Sequence, residues 1–199
     1  VSIRLGQRRP DEAERILGNA LSLCVLMGGM LGLAGILFLD PLLVMLGADR
    51  ETLAPAREFT RVILAGSVFT YVGFGLNSIV RAEGSPKNAM LAMVVSAALN
   101  MALNPLLIFG FGMGVAGSAT ATVFSQAVAS LWVIVHFLRP GAILKLKAVN
   151  LKLSGETVSG IFRIGVSPLM MQVAAAGVSV IFNYSLLAYG GELAVASIG

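Results

Sequence analysis

The residues of this chain that are able to do chemistry are mostly uncharged amides and hydroxyls, placed at helical spacing inside long apolar stretches. Positions four apart share one face of a helix, and three stretches carry polar side chains at intervals of four or seven. They are Ser96, Asn100 and Asn104; Ser118, Thr122, Gln126 and Ser130; and Gln172, Ser179 and Asn183. Such groups donate and accept hydrogen bonds, so they favour the binding of a solute or ion over covalent catalysis.

The composition argues against an enzyme site of any common kind. The chain has one cysteine, Cys24, and one histidine, His136, so it predicts no internal disulfide, no metal centre and no catalytic triad. No cluster of nucleophile and base is visible, and we expect no cofactor. Hydrophobic residues make up 57% of the 199 residues and charged residues 12%. Those values exclude a soluble enzyme, a nucleic-acid-binding domain and a disordered chain.

Five apolar stretches are long enough to cross a membrane, since about 20 residues are needed. They cover residues 20–39, 62–80, 89–111, 115–138 and 164–189, and none has a charged residue in its interior. Backbone groups in lipid must be paired internally, and these stretches lack the alternation of a β-barrel strand. The sequence therefore predicts an all-α, polytopic membrane helical bundle.

The distribution of basic residues predicts the orientation, because Lys and Arg are retained on the cytoplasmic side. Eleven precede the first span or lie in the second-to-third and fourth-to-fifth links: Arg4, Arg8, Arg9, Arg15, Arg81, Lys87, Arg139, Lys145, Lys147, Lys152 and Arg163. Only Arg50, Arg57 and Arg61 lie on the opposite side. We expect the Val1 end in the cytoplasm, the Gly199 end outside, and the chain to be an excerpt of a longer protein.

Two features of the spans leave alternatives open. The second span also carries two polar residues seven apart, Thr70 and Asn77. The polar stripes either form hydrogen bonds between helices or line a cavity that a solute can enter, and their presence on four neighbouring spans favours a cavity. Pro105 should bend the third span, where the freed carbonyl either contacts a solute or is satisfied within a static kink.

The link over residues 140–160 is either a strip on the inner headgroups or a solvated loop.

The order of several motifs resembles the multidrug and toxic compound extrusion (MATE) family of secondary transporters. The resemblance covers essentially the whole chain and is carried by these segments: residues 2–6 (SIRLG), 41–48 (PLLVMLGA), 77–84 (NSIVRAEG), 100–109 (NMALNPLLIF), 114–122 (GVAGSATAT), and Gly165, Pro168, Gln172, Asn183 and Gly190-Gly191. No single motif decides the matter, but their order and spacing together are fairly specific.

The resemblance implies about twelve helices in two lobes around a central cavity. It assigns residues 1–160 to helices three to six of the N-terminal lobe and residues 161–199 to the first helix of the C-terminal lobe. The family's binding residues map onto Asn100, Asn104 and Thr122. Many relatives carry aspartate where this chain has Asn104, and an amide cannot take up a proton, which puts a proton-coupled site in this lobe in doubt.

We therefore expect a plasma-membrane antiporter that exports small organic or drug-like compounds in exchange for Na+ or H+. The expected solute or ion contacts are Asn100, Asn104, Thr122, Gln126, Gln172 and Asn183. The partners are the solutes and the lipid bilayer, with no nucleic acid. Two alternatives are a lipid-linked precursor flippase of the related fold, which should carry basic residues in its cavity, and a membrane scaffold that transports nothing.

Overall fold

A computed structural model of the chain describes residues 1–45 and 52–198. Within its last helix, the described side chains are those up to residue 179 and that of Phe182. Every regular element in this part of the chain is a helix, which confirms the predicted all-α class. The helices are α1 (Ser2–Gly6), α2 (Pro10–Leu37), α3 (Leu39–Met45), α4 (Leu53–Ala65), α5 (Ser67–Ala82), α6 (Pro86–Pro105), α7 (Gly114–Leu138) and α8 (Gly155–Ile198).

Four helical segments are long and apolar enough to span a membrane, and a fifth span exists if a bent pair counts as one. They are Pro10–Leu37, Pro86–Gly110, Gly114–Leu138 and Gly155–Ser179, with the bent pair Leu53–Ala65 and Ser67–Ala82. Helix α2 begins ten residues before the predicted apolar stretch, because Pro10 suits a first helical position and Asp11 and Glu12 favour the first turn. Its 28 residues correspond to about 42 Å.

The second predicted span is a bent pair and not one straight helix. Helices α4 and α5 meet at Gly66 with an angle of 51° between them. A Cβ atom at Gly66 would lie 2.4 Å from both methyl groups of Val123 on α7. Only glycine allows the bend to press this closely against α7, and the apolar pattern of residues 62–80 gave no sign of it.

The third span changes its helical form at the proline. Helix α6 runs to Pro105 and continues as a π-helical turn over Leu106–Gly110, where the amide of Phe111 donates to the carbonyl of Leu106 over 3.0 Å. A proline cannot donate to the preceding turn, and a wider turn accommodates the missing bond. The sequence predicted a bend at Pro105, and the described structure has a local change of helical form at that residue.

The chain divides into two compact units, Val1–Ser154 and the α8 segment. The first unit contains α1 to α7, and its described residues form a buried core. That core joins α2, α5, α6 and α7 at the ends nearest to Val1, through Ala13, Leu17, Val72, Leu76, Val80, Ala89, Ala92, Val133, Phe137 and Leu144. The second unit is a single long helix, with Pro168 in its interior.

The link after α7 is attached to α2 instead of extending freely. We call residues 143–154 the strap; they include a 3-10 turn over Ala148–Leu151. Leu144 is fully buried in the core of the first unit. The Glu14 carboxylate accepts a bond from the amide of Lys145 over 3.1 Å and pairs with the Lys147 ammonium at 2.5 Å. The hydrogen bond between the Lys147 ammonium and the Glu14 carboxylate raises the pKa of Lys147 above its ordinary value.

Candidate functional site

A cavity of about 310 Å³ lies between α5, α6 and α7 in the first unit. Its polar lining comes from all three helices: Asn77, Ser96, Asn100, Thr122, Ser125 and Gln126. The other lining residues are apolar or glycine, and the small residues Gly73 and Ala97 project little side-chain volume into the cavity. The structure thus brings part of the predicted stripes of the third and fourth spans, which pack as neighbours as expected, onto one void: Ser96, Asn100, Thr122 and Gln126.

Three predicted site residues form a continuous hydrogen-bonded ladder at one end of this cavity. The Nδ2 atom of Asn104 donates to Oδ1 of Asn100 over 2.9 Å. Asn100 in turn donates from Nδ2 to Oγ1 of Thr122 over 3.1 Å, and that hydroxyl donates to the Ser118 carbonyl over 3.0 Å. The i, i+4 spacing of the asparagines on α6 and the packing of α6 against α7 produce this order. We call it the amide ladder.

The amide ladder ends in an acceptor that has no partner among the described residues. Oδ1 of Asn104 is buried and unpaired, and so is the hydroxyl of Ser125 in the cavity wall. A buried polar atom without a partner is costly, and it commonly marks a place for a water, an ion or a ligand. Carbonyl-type oxygens of this kind suit a hard cation or the N–H donor of a solute.

The remaining polar groups of the cavity are partly engaged in holding the helices together. Ser96 donates to the Ser125 carbonyl over 3.1 Å, which joins α6 to α7. Asn77 is buried and donates to the Ala89 carbonyl over 2.9 Å, which joins α5 to α6. None of the side chains that line this cavity is titratable, so its described wall is electrically neutral.

The predicted site residues of the last span belong to the second unit. Gln172 lies on α8 in its described part, and Asn183 lies on the same helix but its side chain is outside the described residues. The structure therefore groups Asn100, Thr122 and Gln126 around one cavity, with Asn104 joined to them through the ladder.

Two polar contacts that sequence reasoning missed lie near the Val1 end of the first unit. Glu83 and His136 form a buried pair between the end of α5 and α7. Asn19, which is fully buried, joins α2 to the strap. Their partners are 53 and more than 130 residues away along the chain, and no spacing rule connects residues at such separations.

Comparison with known proteins decides the family. The family model described as MatE matches residues 1–106, which is more than half of the chain. This chain belongs to the MATE family. The match confirms the resemblance drawn from the motifs, and with it the integral membrane character of the chain.

Individual relatives of the family match over nearly the whole chain. The multidrug export protein MepA of Staphylococcus aureus (strain bovine RF122 / ET3-1) is 32% identical over all 199 residues. The crystal structure of MATE in the bent conformation matches 98% of the chain with a TM-score of 0.90 and 30% identity. The inward-facing conformation of a MATE family transporter matches the same share with a TM-score of 0.85 and 30% identity. The chain spans 44% of the length of each.

Proposed function

We propose that this chain belongs to a secondary transporter that exports organic, drug-like compounds across the plasma membrane by antiport with Na+ or H+. Membership of the MATE family supports the proposal, as does the name of its relative MepA, a multidrug export protein. The observation that carries it is the neutral cavity with the amide ladder at its edge. A void lined by paired amides offers a solute both an apolar wall and hydrogen-bonding groups.

The ladder residues take distinct roles in this proposal. Asn100 and Thr122 contact the solute or ion, and Gln126 adds a polar group further along the cavity wall. The unpaired Oδ1 of Asn104 accepts a bond from the solute or coordinates the cation. Gln172 and Asn183 contribute from the second lobe, to which we assign residues 161–199, while residues 1–160 form part of the first lobe.

The neutral lining bears on the coupling ion. An amide does not take up a proton at physiological pH, whereas its oxygen coordinates Na+ as readily as other oxygen ligands do. We propose that the ladder serves a solute donor or Na+. Coupling to H+ would then use a carboxyl group that is not part of this cavity wall.

The lipid-linked precursor flippase is disfavoured by the same cavity. A pyrophosphate group needs cationic partners, and the described cavity wall contains neither lysine nor arginine. The remaining alternative is a membrane scaffold that transports nothing, and a measurement of export from proteoliposomes distinguishes it from a transporter.

The test compares two threonines of α7 in the full-length protein. The hydroxyls of Thr122 and Thr120 each donate to the carbonyl one turn earlier, over 3.0 and 2.8 Å, but only that of Thr122 also pairs with Asn100. We expect Thr122→Val to lower the initial rate of gradient-driven export from proteoliposomes about tenfold, because it leaves Asn100 without its partner. Thr120→Val should retain export.

Two results would count against the proposal. Absence of export by the unmodified protein under both a sodium and a proton gradient would contradict the proposed transporter function. Equal losses of export in both threonine variants would contradict a role of the amide ladder, since each change deletes an equivalent hydroxyl-to-carbonyl bond within α7.

A further inference from the structure

The strap is fastened to α2 by one buried amide that the proposed transport function does not use. The Asn19 side chain is fully buried. Its Nδ2 lies 3.0 Å from the Asn150 carbonyl and 3.3 Å from that of Lys152, while its Oδ1 accepts a bond from the amide of Ser154 over 2.8 Å. All three partners on the strap are backbone groups, so the attachment fixes the course of the strap whatever side chains it carries. Nδ2 also donates to the Arg15 carbonyl within α2 over 3.0 Å.

A close backbone approach and a second hydrogen bond reinforce this attachment. A Cβ atom at Gly18 would lie 2.4 Å from the Asn150 carbonyl oxygen, so only glycine lets the strap come so near to α2. One turn further along, the hydroxyl of Ser22 donates to the Leu151 carbonyl over 2.7 Å. The strap is therefore held in one conformation by α2.

These contacts also fix the depth of the strap along the first span. The strap contacts α2 from Glu14 to Ser22, a rise of about 12 Å. Arg15 is the last charged residue of α2, and its long apolar stretch begins at Ala20. The strap thus lies where the helix passes from charged to apolar residues, which is the level of the lipid headgroups.

The exposed side chains of the strap combine lysines with aliphatic residues. Val149 is 86% exposed, Leu153 41% and Leu151 38%. The lysines Lys145, Lys147 and Lys152 are exposed as well, and the sequence has no acidic residue between positions 84 and 155. Lys147 pairs with Glu14, whereas Lys145 and Lys152 form no ion pair with any described residue.

We propose that the strap is a preformed contact for the anionic phospholipid headgroups of the leaflet at the Glu14 level of α2. Lys145 and Lys152 bind the lipid phosphates, and Val149, Leu151 and Leu153 enter the boundary between headgroups and acyl chains. Alternating lysines and aliphatic residues at this depth suit such a surface because the charges meet the headgroups while the stems and aliphatic groups leave water. Asn19 is a positioning residue that holds the strap at this level.

The depth of a spin label at position 149 tests the proposal without reference to transport. The full-length protein with Cys24→Ala and Val149→Cys is labelled and reconstituted into bilayers of phosphatidylcholine with or without phosphatidylglycerol. We expect the label to be accessible to oxygen and shielded from a water-soluble nickel chelate when phosphatidylglycerol is present. A label that nickel reaches as well as it reaches one at Gly141 would overturn the proposal, and so would a label that neither reagent reaches.

Charge variants separate specific lipid binding from general attraction. Each lysine near the surface contributes about fivefold to binding of anionic lipid, so Lys145→Gln with Lys152→Gln should lower the preference for phosphatidylglycerol about 25-fold. Lys87→Gln removes an exposed lysine in the first turn of α6; it is the matched control and should leave label depth and lipid preference unchanged. Equal effects of both changes would contradict a specific site.

Releasing the strap tests the positioning role. Asn19→Ala removes the hydrogen bonds of this side chain to the three backbone groups of the strap but leaves all the lysines in place. We therefore expect the label at position 149 to become mobile and accessible to nickel. If that variant is too unstable to reconstitute, Ser22→Ala removes only the bond to Leu151 and should give a smaller shift in the same direction. An unchanged label depth in the variants that fold would show that α2 does not position the strap.

Discussion

At the scale of single residues, the sharpest consequence follows from Asn104. Its amide donates to Oδ1 of Asn100, and a carboxyl group in its place can make that bond only when protonated. We therefore expect Asn104→Asp to make export dependent on pH, with the rate falling up to about tenfold per pH unit above the pKa of the new carboxyl. The measurement is the initial export rate in proteoliposomes held at equal pH on both sides.

The control for this prediction is Asn88→Asp, which adds the same charge near the start of α6 and away from the ladder. That variant should keep the pH profile of the unmodified protein. Identical profiles for Asn104→Asp and the unmodified protein would mean that the Asn104–Asn100 bond has no part in export.

The buried pair of Glu83 and His136 gives a second prediction at this scale, concerning stability. The Glu83 side chain has no exposed surface, and its Oε2 has no partner among the described residues. Breaking a buried pair by removing one partner costs about 3–5 kcal/mol, whereas replacing both partners by apolar groups is often neutral. We expect His136→Leu to lower the thermal midpoint in detergent far more than Glu83→Leu with His136→Leu together.

That comparison contains its own control, because both variants lack the histidine ring. A double variant that is less stable than the single one would contradict the argument. It would mean that the pair contributes through packing around Phe137, whose ring centre lies 5.3 Å from that of His136, and not through its hydrogen bond.

The positions of polar side chains could be predicted from the sequence where these residues repeat at the spacing of an α-helix. The spacing of Asn100, Asn104 and Thr122 was sufficient to place polar groups on facing sides of α6 and α7. The Asn19 attachment was not predictable, because its partners near Asn150 follow 131 to 135 residues later. Hydropathy describes one helix at a time and carries no information about which distant segment a buried amide meets.

At the scale of elements, the bend between α4 and α5 depends on close packing at Gly66. A Cβ atom there would meet both methyl groups of Val123 at 2.4 Å, and overpacking of this kind costs about 1–3 kcal/mol. We expect Gly66→Ala to lower the thermal midpoint, and the additional change Val123→Ala to restore most of the loss by removing the methyl groups in conflict.

Gly29 on α2 is the matched control for this prediction. A Cβ atom there meets nothing within 4 Å, so Gly29→Ala should leave stability unchanged or raise it slightly through helix propensity. If Gly66→Ala behaved like Gly29→Ala, the angle of 51° between the helices would owe nothing to the contact with α7.

The same elements show where hydropathy is sufficient and where it is not. The run of residues 89–111 contains no charged residue, so its membrane-spanning length could be predicted from the sequence. In the structure, α6 with its π-helical turn covers Pro86–Gly110. The bend at Gly66 was not readable, because a glycine within an apolar run is compatible with a straight helix until its neighbour is known. Side-chain volume across a helix interface decides between the two.

At the scale of the whole molecule, the two sets of helix ends differ in charge. Eleven lysines and arginines lie before α2, in its first two turns, around the α5–α6 turn, or between the end of α7 and the early turns of α8, and three lie between α2 and the last turns of α4. One of those three, Arg57, binds Asp40 through two bonds of 2.7 and 2.8 Å, which partly cancels its charge. Because positive loops are retained inside, we predict the Val1 end in the cytoplasm.

Labelling of single cysteines in intact cells measures this orientation. In a Cys24→Ala background, Phe111→Cys lies in the exposed link before α7, and Gly141→Cys lies in the exposed link after it. We expect a membrane-impermeant maleimide to label position 111 in intact cells and position 141 only after permeabilisation. Cys24 is the one cysteine of these 199 residues, and a background protein in which every cysteine has been replaced should stay unlabelled.

The opposite labelling pattern would have a consequence beyond topology. It would place the strap, with its lysines and exposed aliphatic residues, at the outer leaflet. Labelling of both positions from outside is incompatible with α7 as a single span, because one crossing of Gly114–Leu138 separates them.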